Sequence, residues 1–532
     1  MIHDVDSVVV FPYIMTQDVE STKQRGEDLN WCQRSATEQR QGLLSGEVSS
    51  VELLESVIRQ AEITRRDVNA LAYTLFDEAR LAAKEADQLL RSRQGGLLCG
   101  LPISVKDSQW LAGVPCANGS HTLKDFVPEQ TSEAVRRLES AGGIVFAKTT
   151  CPEFCVSGTN HSPLYGPTRN PWHLSYTPGG SSGGAAAAVA SGVGSLALGS
   201  DGGGSIRIPA SFCGVAGFKP SHGMVPRYPG FPTWESLVSY GPLGRSVADL
   251  QLMMAALTGD ATVMDARDSG LFSGLRRLAR TSSSRQELKT IIASVDLGFA
   301  PVDEDVRTAF ENAITRFGDA GFSVRRDSPG LRSSVITWAT LATRDMWNHK
   351  RSHVEEDDTD VGPLGAYASE FIRFGSRFSD EDIVDAQSHC RRIFESYQAM
   401  YARNQCNILV TPTMGCEAFP GHRTHPDRIG EEDINYPWLD WAGFLYDANL
   451  TGMPACSIPM GIGNEGLPLG LQVVGPPGAD REVLRVARIM EKALDLPLGG
   501  ALSEVGDLNL QPKPFDRQAV VSINGPVASA VQ

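Results

Sequence analysis

Thr177-Pro178-Gly179-Gly180-Ser181-Ser182-Gly183-Gly184 and Gly199-Ser200-Asp201-Gly202-Gly203-Gly204-Ser205-Ile206-Arg207 are the two runs on which the reading of this chain turns. Successive glycines leave backbone N–H groups uncovered by side chains, which is what a site needs to hold a developing negative oxygen. Ser205 then stands beside its own oxyanion hole, built from the amides of Gly202, Gly203, Gly204 and Ser205. A serine hydroxyl is a weak nucleophile near neutral pH and needs a base beside it. Of the ten histidines, His161 and His173 lie nearest in sequence. Lys106 offers another answer. It follows the strand pattern Pro102-Ile103-Ser104-Val105, and α/β sheets gather their sites at the carboxyl ends of strands. An amine acts as base only when uncharged, a state rare at the ordinary pKa of about 10.4 and favoured by burial.

Outward from these runs the chain alternates between short apolar strands and helices. Ser35 with Glu38 and Ser49 with Glu52 are capping boxes, each a helix start. Val51, Leu54, Val57, Ile58 and Ala61 recur at helical spacing, as do Ala79, Ala82, Ala83, Ala86, Leu89 and Leu90 before Gly95-Gly96. Ser132 to Ala141 reads as a helix closed by Gly142, and Ile144-Val145-Phe146 as the next strand. Pro152 to Asp201 has loop composition, with Ala185 to Ala190 as a helix of small residues. Val306, Phe310, Ala313, Ile314 and Phe317 predict a helix ended by Gly321 before Phe322-Ser323-Val324. Residues 330 to 440 are less regular and carry the acidic run Glu355 to Asp358, read as a solvated face. Ile408 to Thr411 is strand-like. A final strand (Leu469 to Val474) and helix (Asp480 to Glu491) precede a tail after Pro512 that reads as loosely held. The alternation predicts an α/β sheet with helices on its faces.

The 532 residues carry 48 Lys+Arg against 63 Asp+Glu, for a formal net charge of −15. With 41% hydrophobic and 21% charged residues, disorder as the dominant state is excluded. The acidic excess argues against non-specific nucleic-acid binding and anionic membranes, whose phosphates it repels. No stretch reaches the ~18 apolar residues of a spanning helix. Val8 to Met15 is short and follows Asp4 and Asp6 rather than a basic segment, so no secretory signal is expected. Ten scattered cysteines read as free thiols in a reducing compartment, the cytoplasm.

Gly100-Leu101-Pro102-Ile103-Ser104-Val105-Lys106-Asp107, the Gly179 to Gly184 loop and the Gly202 to Ser205 turn together resemble the amidase signature family. The likeness continues through Ala147-Lys148-Thr149, Asn170-Pro171-Trp172, Ile208 to Gly214, Gly217 to Pro220, Asn449 to Ala455 and Gly466 to Gln472, covering about residues 35 to 495. It implies one α/β/α unit with a mixed central sheet covered by helices. It also implies a Ser-cisSer-Lys triad: Ser205 the nucleophile, Ser181 the serine after a cis Gly180–Ser181 bond, and Lys106 the base. Ser182, Asp201 and Arg207 are read as support for the loop. Departures from the commonest pattern fall at Ser200 and Gly202, where threonine is frequent, and at Ala185, where serine often closes the run. The expected organisation is an N-terminal helical segment over 1–75, the core with its catalytic loops over 76–330, a mainly helical cap over 331–440 and a return to the core over 441–532.

Other patterns favour structural roles. Gly142-x4-Ala147-Lys148-Thr149 imitates a phosphate loop, but a strand there cannot curl into a cradle of amides. Lys148 reads as a structural lysine at a strand end. His349-x3-His353 lacks a third metal ligand and reads as a solvated helix face. Cys155, Trp441 and Tyr446 are taken as pocket lining. The expected function is hydrolysis of a small carboxylic amide, with esters, anilides and carbamates also in range, through a Ser205 acyl-enzyme. It needs no metal or organic cofactor, and a homodimer would be unsurprising. The alternatives are the glutaminase subunit of a tRNA-dependent amidotransferase and a catalytically dead scaffold.

Overall fold

The computed structural model describes residues 31–258, 290–355, 365–434 and 440–496. Val8 to Met15, the tail after Pro512 and the end of the acidic run lie outside the described residues. Both capping boxes form: Ser35 starts α1 (Ala36–Ser45) and Ser49 starts α2 (Ser50–Thr64), each glutamate bonding back to the cap N–H. Leu54, Val57, Ile58 and Ala61 of α2 pack with Ala79, Ala83 and Ala86 of α3 (Phe76–Arg91).

Strands β1 (Leu71–Thr74), β2 (Pro102–Lys106), β3 (Ile144–Thr149), β4 (Leu196–Asp201), β5 (Ala216–Lys219), β6 (Ser239–Gly244), β7 (Thr290–Ala293), β8 (Ser323–Arg326), β9 (Leu409–Pro412), β10 (Ala455–Ile462) and β11 (Pro468–Val474) form one sheet. Its order is β1-β3-β2-β4-β6-β5-β10-β11-β9-β7-β8. The sheet is mixed: β2 runs parallel to both β3 and β4, and β4 is antiparallel to β6. Every residue of β2 and β4 is buried, as expected for central strands covered by helices on both faces. The further helices of five or more residues are α4 (Glu133–Ser140), α5 (Gly183–Ala190), α6 (Arg207–Cys213), α7 (Val247–Thr258), α8 (Glu304–Asp319), α9 (Val335–Lys350), α10 (Ala366–Phe374), α11 (Asp380–Asn404), α12 (Tyr446–Leu450) and α13 (Asp480–Leu494) among the described residues. The fold is the α/β/α unit with a mixed sheet expected from the sequence.

Two stretches hold more regular structure than their local sequence patterns display. The loop-like composition up to Asp201 conceals β4, and β5 and β6 had no signal because glycine interrupts them. Those glycines serve close approach rather than turning: a Cβ on Gly217 would lie 2.8 Å from Ala210 Cβ, and one on Gly241 2.1 Å from the Phe218 carbonyl oxygen. The stretch after residue 330, irregular by pattern, is dominated by α9, α10 and the 25-residue α11. Buried threonines hide the periodicity of α9. Thr340 and Thr343 return their hydroxyls to the carbonyls of Ile336 and Ala339 at 2.9 and 2.7 Å, so polar residues occupy an interior face. Among the described residues no helix is long and apolar enough to cross a membrane.

Candidate active site

Lys106 ends β2, fully buried, between the parallel neighbours that carry Thr149 and Leu198. Its Nζ is hydrogen-bonded to Ser181 Oγ at 2.7 Å and to Ser200 Oγ at 2.9 Å. Ser181 follows a cis Gly180–Ser181 peptide. Glycine is required before it, because a Cβ on Gly180 would stand 2.3 Å from the Thr159 carbonyl oxygen. The chain then enters α5, whose small residues are all buried; a Cβ on Gly184 would lie 2.4 Å from Thr150 Oγ1.

Ser182 joins the two glycine-serine runs. Its N–H donates to the Ser205 carbonyl at 3.0 Å, its hydroxyl donates to the Ser200 carbonyl at 3.1 Å, and it accepts from the Ser200 N–H at 3.3 Å. Ser181, Ser200 and Ser205 line one cleft, with Ser205 half-buried in it.

Asp201 organises the turn. Its carboxylate accepts from the N–H groups of Gly204 (2.7 Å) and Ile206 (3.1 Å), and from Arg207 Nε and Nη2, each at 3.0 Å. Arg207 also donates to Gln472 Oε1 (2.7 Å) and Asn449 Oδ1 (2.6 Å), while Asn449 Nδ2 donates back to Asp201 Oδ1 at 3.0 Å. Burial alone would push the Asp201 carboxyl up, but the Arg207 guanidinium, with Lys219 and Asn449, holds it well below the usual carboxylate range. The expectation that the Gly204 amide joins the oxyanion donors is corrected by this geometry, because Asp201 already takes that N–H. Gly204 serves the turn instead. Its φ is +114°, and a Cβ there would strike Leu445 Cδ1 at 2.3 Å.

The Gly202 carbonyl accepts from Trp338 Nε1 at 2.8 Å. In a trans peptide the carbonyl and the following N–H point opposite ways, so Trp338 directs the Gly203 N–H away from its own indole. Space for this contact comes from the missing side chains. A Cβ on Gly203 would lie 2.7 Å from the Trp338 ring, and one on Gly202 3.2 Å from the Trp234 ring. Trp338 stacks on Tyr446 with centroids 4.7 Å apart, and Trp234 packs on Phe371 at 5.7 Å.

Cys155, Trp441 and Tyr446 all line the cleft. Phe154, Arg227, Phe231, Trp234, Tyr240 and Trp338 line it too, and sequence reasoning missed them. No local signal marks them, because each is an ordinary aromatic or basic residue in a segment without a motif. Ser200 is the next-to-last residue of β4, which pairs with β2, and its hydroxyl lies within reach of Lys106.

Behind the site, Lys148 Nζ pairs with Asp107 Oδ1 at 3.0 Å, both side chains fully buried, and donates to the Pro115 carbonyl at 2.8 Å. Burial pushes the Asp107 carboxyl up, against Lys148, the Tyr165 hydroxyl (2.7 Å) and the Gly119 N–H, which hold it down. Glu153 links this layer to α10. It accepts from Ser120 Oγ at 2.6 Å and from the Gly365 N–H at 2.8 Å, and burial raises its carboxyl to about 7 despite both bonds. Among the described residues no group of three or more His, Cys, Asp or Glu is placed to hold a metal. His349 is bonded instead to the Asp345 carbonyl, and His353 meets the Phe154 ring.

Known proteins resemble this chain over most of its length. An acylamidase of Rhodococcus erythropolis is 30% identical over 483 residues, spanning 87% of this chain and 96% of its own. A glutamyl-tRNA(Gln) amidotransferase subunit from Thermus thermophilus is 34% identical over 500 residues, 88% of this chain and 100% of its own. The crystal structure of a bacterial aryl acylamidase of the amidase signature enzymes superposes with a TM-score of 0.75 at 28% identity, covering 86% of this chain and 96% of that one. The family described as Amidase matches residues 52–484, and the chain therefore belongs to the amidase signature family, enzymes that hydrolyse amides.

Proposed function

We propose that this chain is a serine amidohydrolase that cleaves small carboxylic amides through an acyl-enzyme on Ser205. The observation that carries the reading is the buried Lys106 Nζ at 2.7 Å from Ser181 Oγ, in the cleft that also holds Ser205. Uncharged Lys106 takes a proton from Ser181, which takes one from Ser205 as it attacks the carbonyl carbon. The amides of Gly202, Gly203 and Ser205 receive the tetrahedral oxygen. Ser181 returns a proton to the leaving amine, and water then releases the acyl group by the reverse relay. The chain works in the cytoplasm on a small-molecule amide, and its own residues supply base, nucleophile and oxyanion donors.

The test pairs hydrolysis of an anilide with fluorophosphonate labelling. The wild type is expected to turn over the anilide and take up one label on Ser205, and Ser205→Ala to lose both. A labelled wild type with undiminished activity would refute the reading. A second reading, the glutaminase component of a tRNA-dependent amidotransferase, is supported by the Thermus thermophilus relative. The rings that wall the cleft favour the first, since glutamine has no aromatic part to fill them. Anilide turnover by the purified chain, with no gain from added partner proteins, separates the two.

A further inference from the structure

Among the described residues that line the cleft, Arg227 is the one whose side chain carries a permanent charge. Its guanidinium offers five donors in a planar fork, yet its single hydrogen bond is a long one, Nη1 to the Trp234 carbonyl at 3.4 Å. The acid nearest in effect, Asp345, is engaged elsewhere: it accepts from the Trp234 N–H at 2.6 Å and senses His349 more strongly than Arg227. A second cation stands at the same wall. Lys350 Nζ lies 4.8 Å from the Phe154 ring centroid and 6.0 Å from that of Phe231, both rings being part of the lining. Burial pushes the Lys350 amine down, since aromatic faces compensate its charge less fully than a carboxylate.

Two half-buried cations among aromatic walls are costly to leave without an anion. A planar carboxylate matches the fork of an arginine in two parallel bonds, and the surrounding rings suit an aromatic body. The acidic surplus of the whole chain gives no reason for cations here, which makes Arg227 in the lining and Lys350 against two of its rings a local feature.

We propose that the preferred substrate is an aryl amide bearing a carboxylate, recognised by Arg227 with Lys350 at its side. This deepens the amidohydrolase reading and rests on it for turnover, but not for binding.

The test compares 4-acetamidobenzoate with its uncharged analogue 4-acetamidobenzamide on the full chain. Wild type is expected to prefer the carboxylate by about 10-fold or more in kcat/KM, carried chiefly by KM. Arg227→Gln should bring that ratio close to one, Arg227→Lys should leave it between, and Lys350→Met should lower it by less than Arg227→Gln does. Calorimetric binding of benzoate and benzamide to the wild type gives a readout that needs neither turnover nor a variant, with benzoate expected to bind at least several-fold tighter. Equal affinity for the two, or a carboxylate preference that survives Arg227→Gln, overturns the proposal. Loss of all amide turnover alongside a retained benzoate preference would refute the amidohydrolase reading and leave the anion site standing.

Discussion

Along Ser181, Ser200 and the Gly202 to Ser205 turn the cleft is floored by backbone and hydroxyls, whereas at Trp234, Trp338, Trp441 and Tyr446 it is walled by large rings. The floor is held by directional bonds with few alternative solutions. Asp201 alone gathers two backbone N–H groups, two guanidinium nitrogens and an amide. The wall is held by ring packing at centroid separations of 4.7 to 6.4 Å, which tolerates small adjustments. Damage to the floor should therefore be abrupt, and damage to the wall graded. The contact where the two meet, Trp338 on Gly202, should behave in between.

The sharpest break lies in the floor. Ser205→Ala is expected to lower kcat for an anilide by roughly 10⁴-fold or more, with the Tm unchanged. Lys106→Met should follow with a loss of about 10²- to 10⁴-fold, the range of a general base, read in the same assay. Arg207→Met strikes the support of the floor rather than its chemistry. It leaves Asp201 buried without its cation and should cost about 3–5 kcal/mol in denaturant unfolding. A variant as stable as wild type would show that the turn does not depend on that pair.

At the junction, Trp338→Phe keeps a ring but removes the N–H that holds the Gly202 carbonyl. A loss of about 10-fold in kcat is expected, with KM changed much less, because the misaligned amide acts on the developing oxyanion and not on ground-state binding. A pure KM effect would assign Trp338 to the wall alone. The smallest effect concerns the tether between core and α10. The Glu153 carboxyl sits at about 7 when folded against 4.5 ordinarily. The folded state therefore holds its proton more tightly, so stability is fully present below pH 4.5 and falls as pH rises through 7. Glu153→Gln cannot ionise. Its Tm should match wild type near pH 4.5 and exceed it by a few degrees at pH 8, a difference measurable by calorimetry. Equal Tm values at both pH values would contradict the assignment.

Short-range patterns in the chain were sufficient for the capping boxes at Ser35 and Ser49, for β2 with Lys106 at its end, and for the two glycine-serine runs. Each is encoded within a few neighbouring residues, where sterics and hydrogen bonding act without help from the rest of the fold. Folding in three dimensions added what no short window contains. Trp338 reaches Gly202 across 136 positions, and Arg207 reaches Asn449 and Gln472 across 242 and 265. The Gly204 amide looked like one more oxyanion donor in a run of equivalent glycines, until Asp201 claimed it. Which amides stay open, and which rings close over them, follows from strand order and helix packing. Those depend on the whole chain finding a single arrangement, and a glycine-rich loop carries too few side chains to dictate it locally.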